Sequence, residues 1–340
     1  MNFSYFVWSF LALLVACGSP ADIETAKNAP SASTTSSDPI LNGMNQAIFD
    51  SPSKLSVRVD RATYLYEQEM YDQALRDVSY ALTIDSTDVS LYHLKADIQL
   101  DYYQSREAIK TLEKAIALYP GRLPSYLKLA EFYHVLTQYD QSISVVNQVI
   151  GKDQQNAEAY FMLGMNFRAM QDLPKAKASF QRAVELDADL TDAWIILGNI
   201  YEEAQDPMAN QYYQNAVNTA PENVAALHSL AFYLQNHERI IPAIDIYSRI
   251  NQLDPQYEDA YLNTGILYLS VDSFRLAQEH FNILKKINPA NAFAHYYSGL
   301  TSELSDNVEA ARQSYEIALR LSPNYEKAKL ALAELNQSDK

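Results

Sequence analysis

A single cysteine among 340 residues leaves no partner for a disulfide within the chain and rules out a Cys-rich zinc site. Glycine is scarce, eight in all, and neither G-x-x-x-x-G-K nor G-x-G-x-x-G occurs, so a phosphate-cradling loop is not expected. Basic residues are outnumbered: 26 Lys and Arg stand against 42 Asp and Glu, a net charge of −16. A nucleic-acid binder needs a basic face, so no nucleic-acid partner is expected. The six histidines (His93, His134, His228, His237, His280, His295) form no H-E-x-x-H or other zinc spacing. No serine sits in G-x-S-x-G. Asp187-x-Asp189-x-x-Asp192 has a calcium-like look, but an EF-hand loop needs Gly sixth and Glu twelfth, where Asp192 and Gly198 stand. These acids are read instead as solvating a turn and capping the following helix. No metal, cofactor or catalytic residue is expected. What the chain does have is 48% hydrophobic residues, enough for a large core, and 25 tyrosines.

Residues 1–16 carry no charged side chain, and Phe6 to Ala16 is almost wholly apolar. That run is too short to span a bilayer, which takes about 20 residues, but has the length of an export signal. It ends in Leu14-Val15-Ala16-Cys17, with small residues before the one thiol, whose thiolate is the nucleophile that can take a diacylglyceryl group. This stretch resembles the lipobox of bacterial lipoproteins. It departs from the pattern in having no Lys or Arg before the apolar run. The resemblance implies a signal peptide at 1–16, lipidation at Cys17 and a membrane anchor. With Gly18 rather than Asp after the cysteine, it implies the outer membrane. Residues 17–39 then read as a tether, with Pro20, Pro30, Pro39 and the run Ser31-Ala32-Ser33-Thr34-Thr35-Ser36-Ser37. As a coil it would reach roughly 25 Å.

A ladder of small residues fills the rest. Ala74, Ala108, Ser142, Ala176, Ala209, Ala243, Ala277 and Ala311 recur at a period of about 34 residues, with one step shorter by one. Four places on lie Leu112, Val146, Phe180, Tyr213, Tyr247, Phe281 and Tyr315, and seven on lie Ala81, Ala115, Val149, Ala183, Ala216, Ile250, Leu284 and Ala318. Steps of four and three put these places on one helical face. Pro120, Pro221, Pro255, Pro289 and Pro323 close successive units, because proline cannot continue a helix.

An earlier helix in each unit is equally legible. Trp194-x-x-Leu197-Gly198-x-x-Tyr201 matches the pattern W-x2-L-G-x2-Y in full, and Tyr160, Leu163, Gly164 and Phe167 nearly repeat it. Four of the eight glycines (Gly164, Gly198, Gly265, Gly299) occupy one repeat place, where a closely crossing helix leaves no room for a larger side chain. On these residues the chain resembles the tetratricopeptide-repeat family. The resemblance implies an all-α fold, a right-handed superhelical solenoid of antiparallel helix pairs. Eight repeats are expected over 55–325, with an N-terminal half-repeat helix over 40–54 and a capping helix and tail over 326–340. In that cap Leu330 and Leu332 are expected to face inward, and Lys327, Lys329 and Glu334 outward. The fifth repeat is one residue short near Asp206-Pro207, where a local change in superhelical pitch is expected.

By the same resemblance the first helices line a concave groove that holds a partner segment. The places facing it are the second, fifth, ninth, twelfth and thirteenth of each repeat. On this chain they carry Leu127, Phe161, Met165, Ile195, Phe232, Leu262, Ile266, Phe293, Tyr296 and Leu300 as an apolar and aromatic stripe. Arg168, Asn199, Gln235 and Asn236 offer hydrogen bonds, and Asp97, Glu131, Glu202 and Glu203 add negative charge. The Lys/Asn/Arg clamp of chaperone-binding members is missing: Val59, Thr63, His93, Asp97, Leu127 and Glu131 hold those places. Expected partners are therefore envelope proteins or peptide segments that are apolar with some basic character. Self-association through the stripe is a further expectation. The reading is a non-enzymatic, membrane-tethered adaptor of the kind that serves pilus or secretion assembly, or delivers substrates to proteases or murein hydrolases. The alternatives are a structural subunit using its convex face, and a cell-wall-directed enzyme, for which no clustered acid–base set is visible.

Overall fold

A computed structural model describes residues 37–338. The expected signal peptide, Cys17 and most of the tether lie outside the described residues. Those that are described form helices and turns, with no strand among them. None of the helices is long and apolar enough to cross a membrane. The chain divides into two compact units, the first ending at Tyr119 and the second beginning at Pro120.

The first unit holds α1 (Pro39–Asp50), the pair α2 (Leu55–Glu67) and α3 (Tyr71–Ile84), and the pair α4 (Val89–Asp101) and α5 (Ser105–Leu118). The second holds six pairs and a last helix. The pairs are α6 (Leu123–Val135) with α7 (Tyr139–Lys152), α8 (Ala157–Ala169) with α9 (Leu173–Leu186), and α10 (Thr191–Glu203) with α11 (Ala209–Thr219). They continue with α12 (Val224–Asn236) and α13 (Ile240–Leu253), α14 (Glu258–Ser270) and α15 (Phe274–Ile287), and α16 (Ala292–Leu304) and α17 (Val308–Leu321). The last helix is α18 (Glu326–Ser338). Each unit is an all-α run of helical repeats. Ala74 and Ala108 in the first unit, and Ala176, Ala209, Ala243, Ala277 and Ala311 in the second, are fully buried. Their small size lets the paired helices approach.

Large side chains fill what the small ones leave. Phe180, Tyr213, Tyr247, Phe281 and Tyr315 on the second helices are all buried, each contributing about 1.5–3 kcal/mol relative to exposure. Four of these five lie against the repeat glycines. A β-carbon at Gly164, Gly198, Gly265 or Gly299 would stand 2.4–2.7 Å from the nearest atom of Phe180, Tyr213, Phe281 or Tyr315 respectively. The sixth repeat is the exception, with Ala231 at the glycine place and Tyr247 at the aromatic one.

The eight first helices α2, α4, α6, α8, α10, α12, α14 and α16 end alike. Glu69, Tyr103, Thr137, Gln171, Gln205, Glu238, Asp272 and Asp306 sit in the left-handed region with φ of 53–62°. In each case that residue's N–H bonds three back and the next N–H bonds five back, as Glu69 to Tyr66 (2.9 Å) and Met70 to Leu65 (2.8 Å). This is the Schellman closure, which favours glycine at the left-handed place. None of the eight is glycine.

The second connections use acids differently from the reading above. Asp187 closes α9 and its Oδ1 accepts the Asp189 N–H at 2.9 Å, an Asx turn, while α10 is preceded by Leu190 with no side-chain cap. Asp192 lies within the first turn of α10 and caps nothing. At the equivalent connections side-chain caps come from Asp88, which accepts from Ser90, and from Asn156, Asn223 and Asn291, which accept from Ala159, Ala226 and Ala294.

Helix α1 begins at Pro39, inside the stretch read as tether: Asp38 caps it, and proline suits a first turn whose N–H has no helical acceptor. Leu330 is 62% exposed rather than inward; Ala328 and Leu335 are the buried residues of α18. In the shortened fifth repeat, Pro207 and Met208 form a turn and α11 starts only at Ala209, so the deletion removes a helical turn.

The first repeat has an ionic centre where others are apolar. Arg58 and Arg61 take the places that hold Trp194 and Leu197 in the fifth repeat. Both contact the buried Asp77, Arg58 Nη1 at 3.0 Å and Arg61 Nε at 2.6 Å, and Arg61 also donates to Asn45 of α1 at 2.6 Å. The Arg58 guanidinium lies 4.3 Å from the Tyr80 ring centre. In the third repeat Ser142 replaces the usual alanine and is satisfied by two hydrogen bonds: its Oγ donates to Ala130 O (2.7 Å) and accepts from Asn166 Nδ2 (2.8 Å).

Candidate protein-binding groove

In the second unit the fifth, ninth and twelfth places of α6, α8, α10, α12, α14 and α16 form one row of side chains. Leu127, Phe161, Met165, Arg168, Ile195, Leu262, Ile266, Tyr296 and Leu300 are all half-buried, and Phe232 is 44% exposed. The row is partly anchored in the core. Phe161, Met165 and Ile195 rest against the buried cluster of α9–α14, and Phe161 meets Phe180 edge-on with ring centres 5.6 Å apart. Tyr296 meets Tyr297 edge-on and Tyr315 and Tyr325 at a tilt, and with Leu300 leans on the cluster that includes Leu335 of α18. The stripe therefore consists of held side chains with one face left outward, so a partner covering it would order few rotamers.

The exposure of Leu330 belongs to the same row. It stands one full repeat after Tyr296, at the corresponding place of α18, so the last helix extends the stripe instead of closing it.

Buried tyrosines reach this row from behind. The ring of Tyr213 on α11 passes the bare Cα of Gly198, and its hydroxyl lies 2.7 Å from Asn199 Oδ1 and 2.6 Å from Glu202 Oε2 on α10. Tyr315 donates to Glu303 Oε2 at 2.5 Å. Tyr247 donates to Gln235 Oε1 at 3.2 Å and accepts from Asn263 Nδ2 at 3.1 Å, tying α12, α13 and α14 together. Burial first, then the adjoining carboxylates, pushes the Tyr213 and Tyr315 phenols well up, so both stay protonated donors. Asn199 and Glu202 are thus engaged internally on one side, a role the repeat pattern did not reveal. Arg168 makes no ion pair among the described residues.

His228 occupies a fifth place, against the rings of Phe232, Tyr247 and Tyr257, and burial holds its pKa below the ordinary value. Among the described residues no three His, Cys, Asp or Glu side chains converge as a metal would require. The arrangement can cover apolar surface and accept hydrogen bonds from a bound segment.

Comparison with known proteins adds the following. Two family models described as tetratricopeptide repeat match residues 101–164 and 157–190. Anaphase-promoting complex subunit 3 of Schizosaccharomyces pombe is 24% identical over 261 residues, covering 76% of this chain and 38% of its own length. Superkiller protein 3 of the same yeast is 23% identical over 274 residues, 74% of this chain and 19% of its own. The chain thus spans well under half the length of these relatives. Among solved structures, the C-terminal part of a TPR repeat-containing protein from Cytophaga hutchinsonii superposes with a TM-score of 0.58 at 17% identity, covering 70% of this chain and 98% of that one.

Proposed function

The chain is a tetratricopeptide-repeat protein, and from that premise we propose that it is a non-enzymatic scaffold holding partner segments against the groove of its second unit. The observation that carries this reading is the row of largely apolar, partly exposed side chains on successive first helices, from Leu127 to Leu300. Full burial of a large apolar side chain is worth about 1.5–3 kcal/mol, and covering the outward part of each half-buried one gains roughly half of that, so occupying several drives association. One relative of partial coverage is named as a subunit of a complex, which fits a role in assembly.

The setting proposed is the bacterial cell envelope, with the chain anchored through lipid on Cys17 and the outer membrane favoured. The support is Leu14-Val15-Ala16-Cys17-Gly18 after an apolar run. The adaptor would gather envelope proteins for assembly, or deliver them to proteases or murein hydrolases.

The test is affinity capture from detergent-solubilised cells with mass spectrometry, using the wild type beside a Phe161→Glu, Met165→Glu variant of verified helicity. Partners lost in the variant support the groove. Unchanged partners move binding to the convex face. Separately, Cys17→Ala should shift the protein to the soluble fraction, and continued membrane retention would reject the lipid anchor.

A further inference from the structure

The groove's carboxylates divide by what lies beneath them. At the place of α10 and α16 that meets the buried second-helix aromatic, Glu202 and Glu303 each receive a tyrosine hydroxyl, from Tyr213 and Tyr315. Where that aromatic is phenylalanine, Phe180 or Phe281, the same place holds Arg168 or Leu269 and no acceptor is present. Tyr247 shows that a neutral amide is enough to satisfy the hydroxyl, since its acceptor is Gln235. The charge on Glu202 and Glu303 is therefore more than the buried tyrosines require.

A carboxylate pinned from behind differs from an ordinary surface acid. Exposed ion pairs are weak largely because two long side chains must be ordered to form them. Tyr213 and Tyr315 are at most 1% exposed, so the rings that hold these carboxylates are themselves fixed. One carboxylate oxygen faces the tyrosine, leaving the second for a ligand. Between the two pinned acids the row is largely apolar and carries no further carboxylate at these places, with Phe232, Leu262 and Ile266 beside His228 and Gln235, and the chain as a whole carries −16.

We propose that the groove takes a peptide segment with two cationic side chains flanking an apolar stretch, one cation on Glu202 and the other on Glu303. This rests on the groove reading above and names the chemistry of its partner. The spacing can be estimated. Three helix-to-helix steps of about 8–10 Å separate α10 from α16, roughly 24–30 Å. An extended segment covers that span in about seven to nine residues at roughly 3.3 Å each. Lysine or arginine at both ends of such a stretch meets a fixed acceptor at each end and apolar surface between.

The probes are synthetic labelled peptides with two lysines separated by a neutral apolar stretch of about seven residues, their Lys→Gln counterparts, and versions with one lysine moved by about four residues. The full chain should bind the dilysine peptide at least about tenfold tighter than the diglutamine one, a difference that shrinks in high salt. Glu202→Gln with Glu303→Gln keeps both acceptors for the tyrosines and removes only charge. It should abolish the lysine preference while circular dichroism and thermal midpoint hold. Equal binding of lysine and glutamine peptides, both lost on Phe232→Glu, overturns the dicationic assignment and leaves the groove reading standing. No binding of any peptide, together with unchanged capture in the Phe161→Glu, Met165→Glu variant, overturns both. A lysine preference that survives the double Gln variant, or tolerates the displaced lysine, also overturns the assignment.

Discussion

The Tyr213 ring occupies the space that a side chain at Gly198 would take: a β-carbon there would stand 2.4 Å from Cε1 of the ring. This contact joins a core requirement to the groove, because the ring that needs the glycine also delivers a hydroxyl to Glu202. Gly198→Ala should lower stability by about 1–3 kcal/mol through overpacking. Tyr213→Leu in the same chain should recover a large part of that loss, as the obstructing ring is gone. Urea unfolding midpoints of the two single variants and the double variant check this, and additive losses would contradict it.

Thr137 carries a β-branched side chain at φ 59° in the Schellman closure of α6. Left-handed backbone costs a non-glycine residue about 1–2 kcal/mol. Thr137→Gly should therefore stabilise the protein by about 1 kcal/mol, the gain being reduced by glycine's larger unfolded-state entropy. The same change at Ala130, within α6, should destabilise. Thermal midpoints of the two variants should move in opposite directions.

Asp77 is fully buried between Arg58 and Arg61. Asp77→Ala would leave two guanidiniums in the core and should cost about 3–5 kcal/mol. Replacing all three by the apolar types found at these places elsewhere, Arg58→Trp, Arg61→Leu and Asp77→Val, should be neutral or stabilising. Amide exchange in α2 and α3 reports both outcomes locally, rising in the first variant and not in the second.

Burial is the leading cause that holds the folded-state pKa of His228, His280 and His295 below the ordinary 6.5, with Asp259 and Glu279 partly opposing it at the first two. The unfolded chain then binds more protons than the folded one as pH falls below that value. Stability should be flat above neutrality and decline from about pH 6.5 downward, until the depressed folded-state values are passed. Urea midpoints at about pH 8 and pH 5.5 should differ in the wild type. The difference should shrink when the three histidines are replaced by glutamine.

The groove was partly legible from sequence. Repeat register placed Leu127, Phe161, Met165, Ile195, Phe232, Leu262 and Ile266 in one row, because a helical face follows from counting along a period. Register could not say that Glu202 and Asn199 are held by Tyr213, since those contacts join residues 11 and 14 positions apart on different helices. It also misjudged Leu330. Amphipathic reasoning sends a leucine inward, but the repeat place it occupies in α18 faces outward.

The helix pairs, their period and the alternation of small and large residues are all legible along the chain. Side-chain volume and proline's missing N–H act locally, so they recur visibly from one repeat to the next. Tertiary structure alone decided the eight left-handed closures at non-glycine residues, because helix termination there is set by backbone bonds rather than by the residue present. It alone decided that Arg58, Arg61, Asp77 and Asn45 meet in one buried centre. These polar side chains are core residues because three helices bring them within hydrogen-bonding distance of one another.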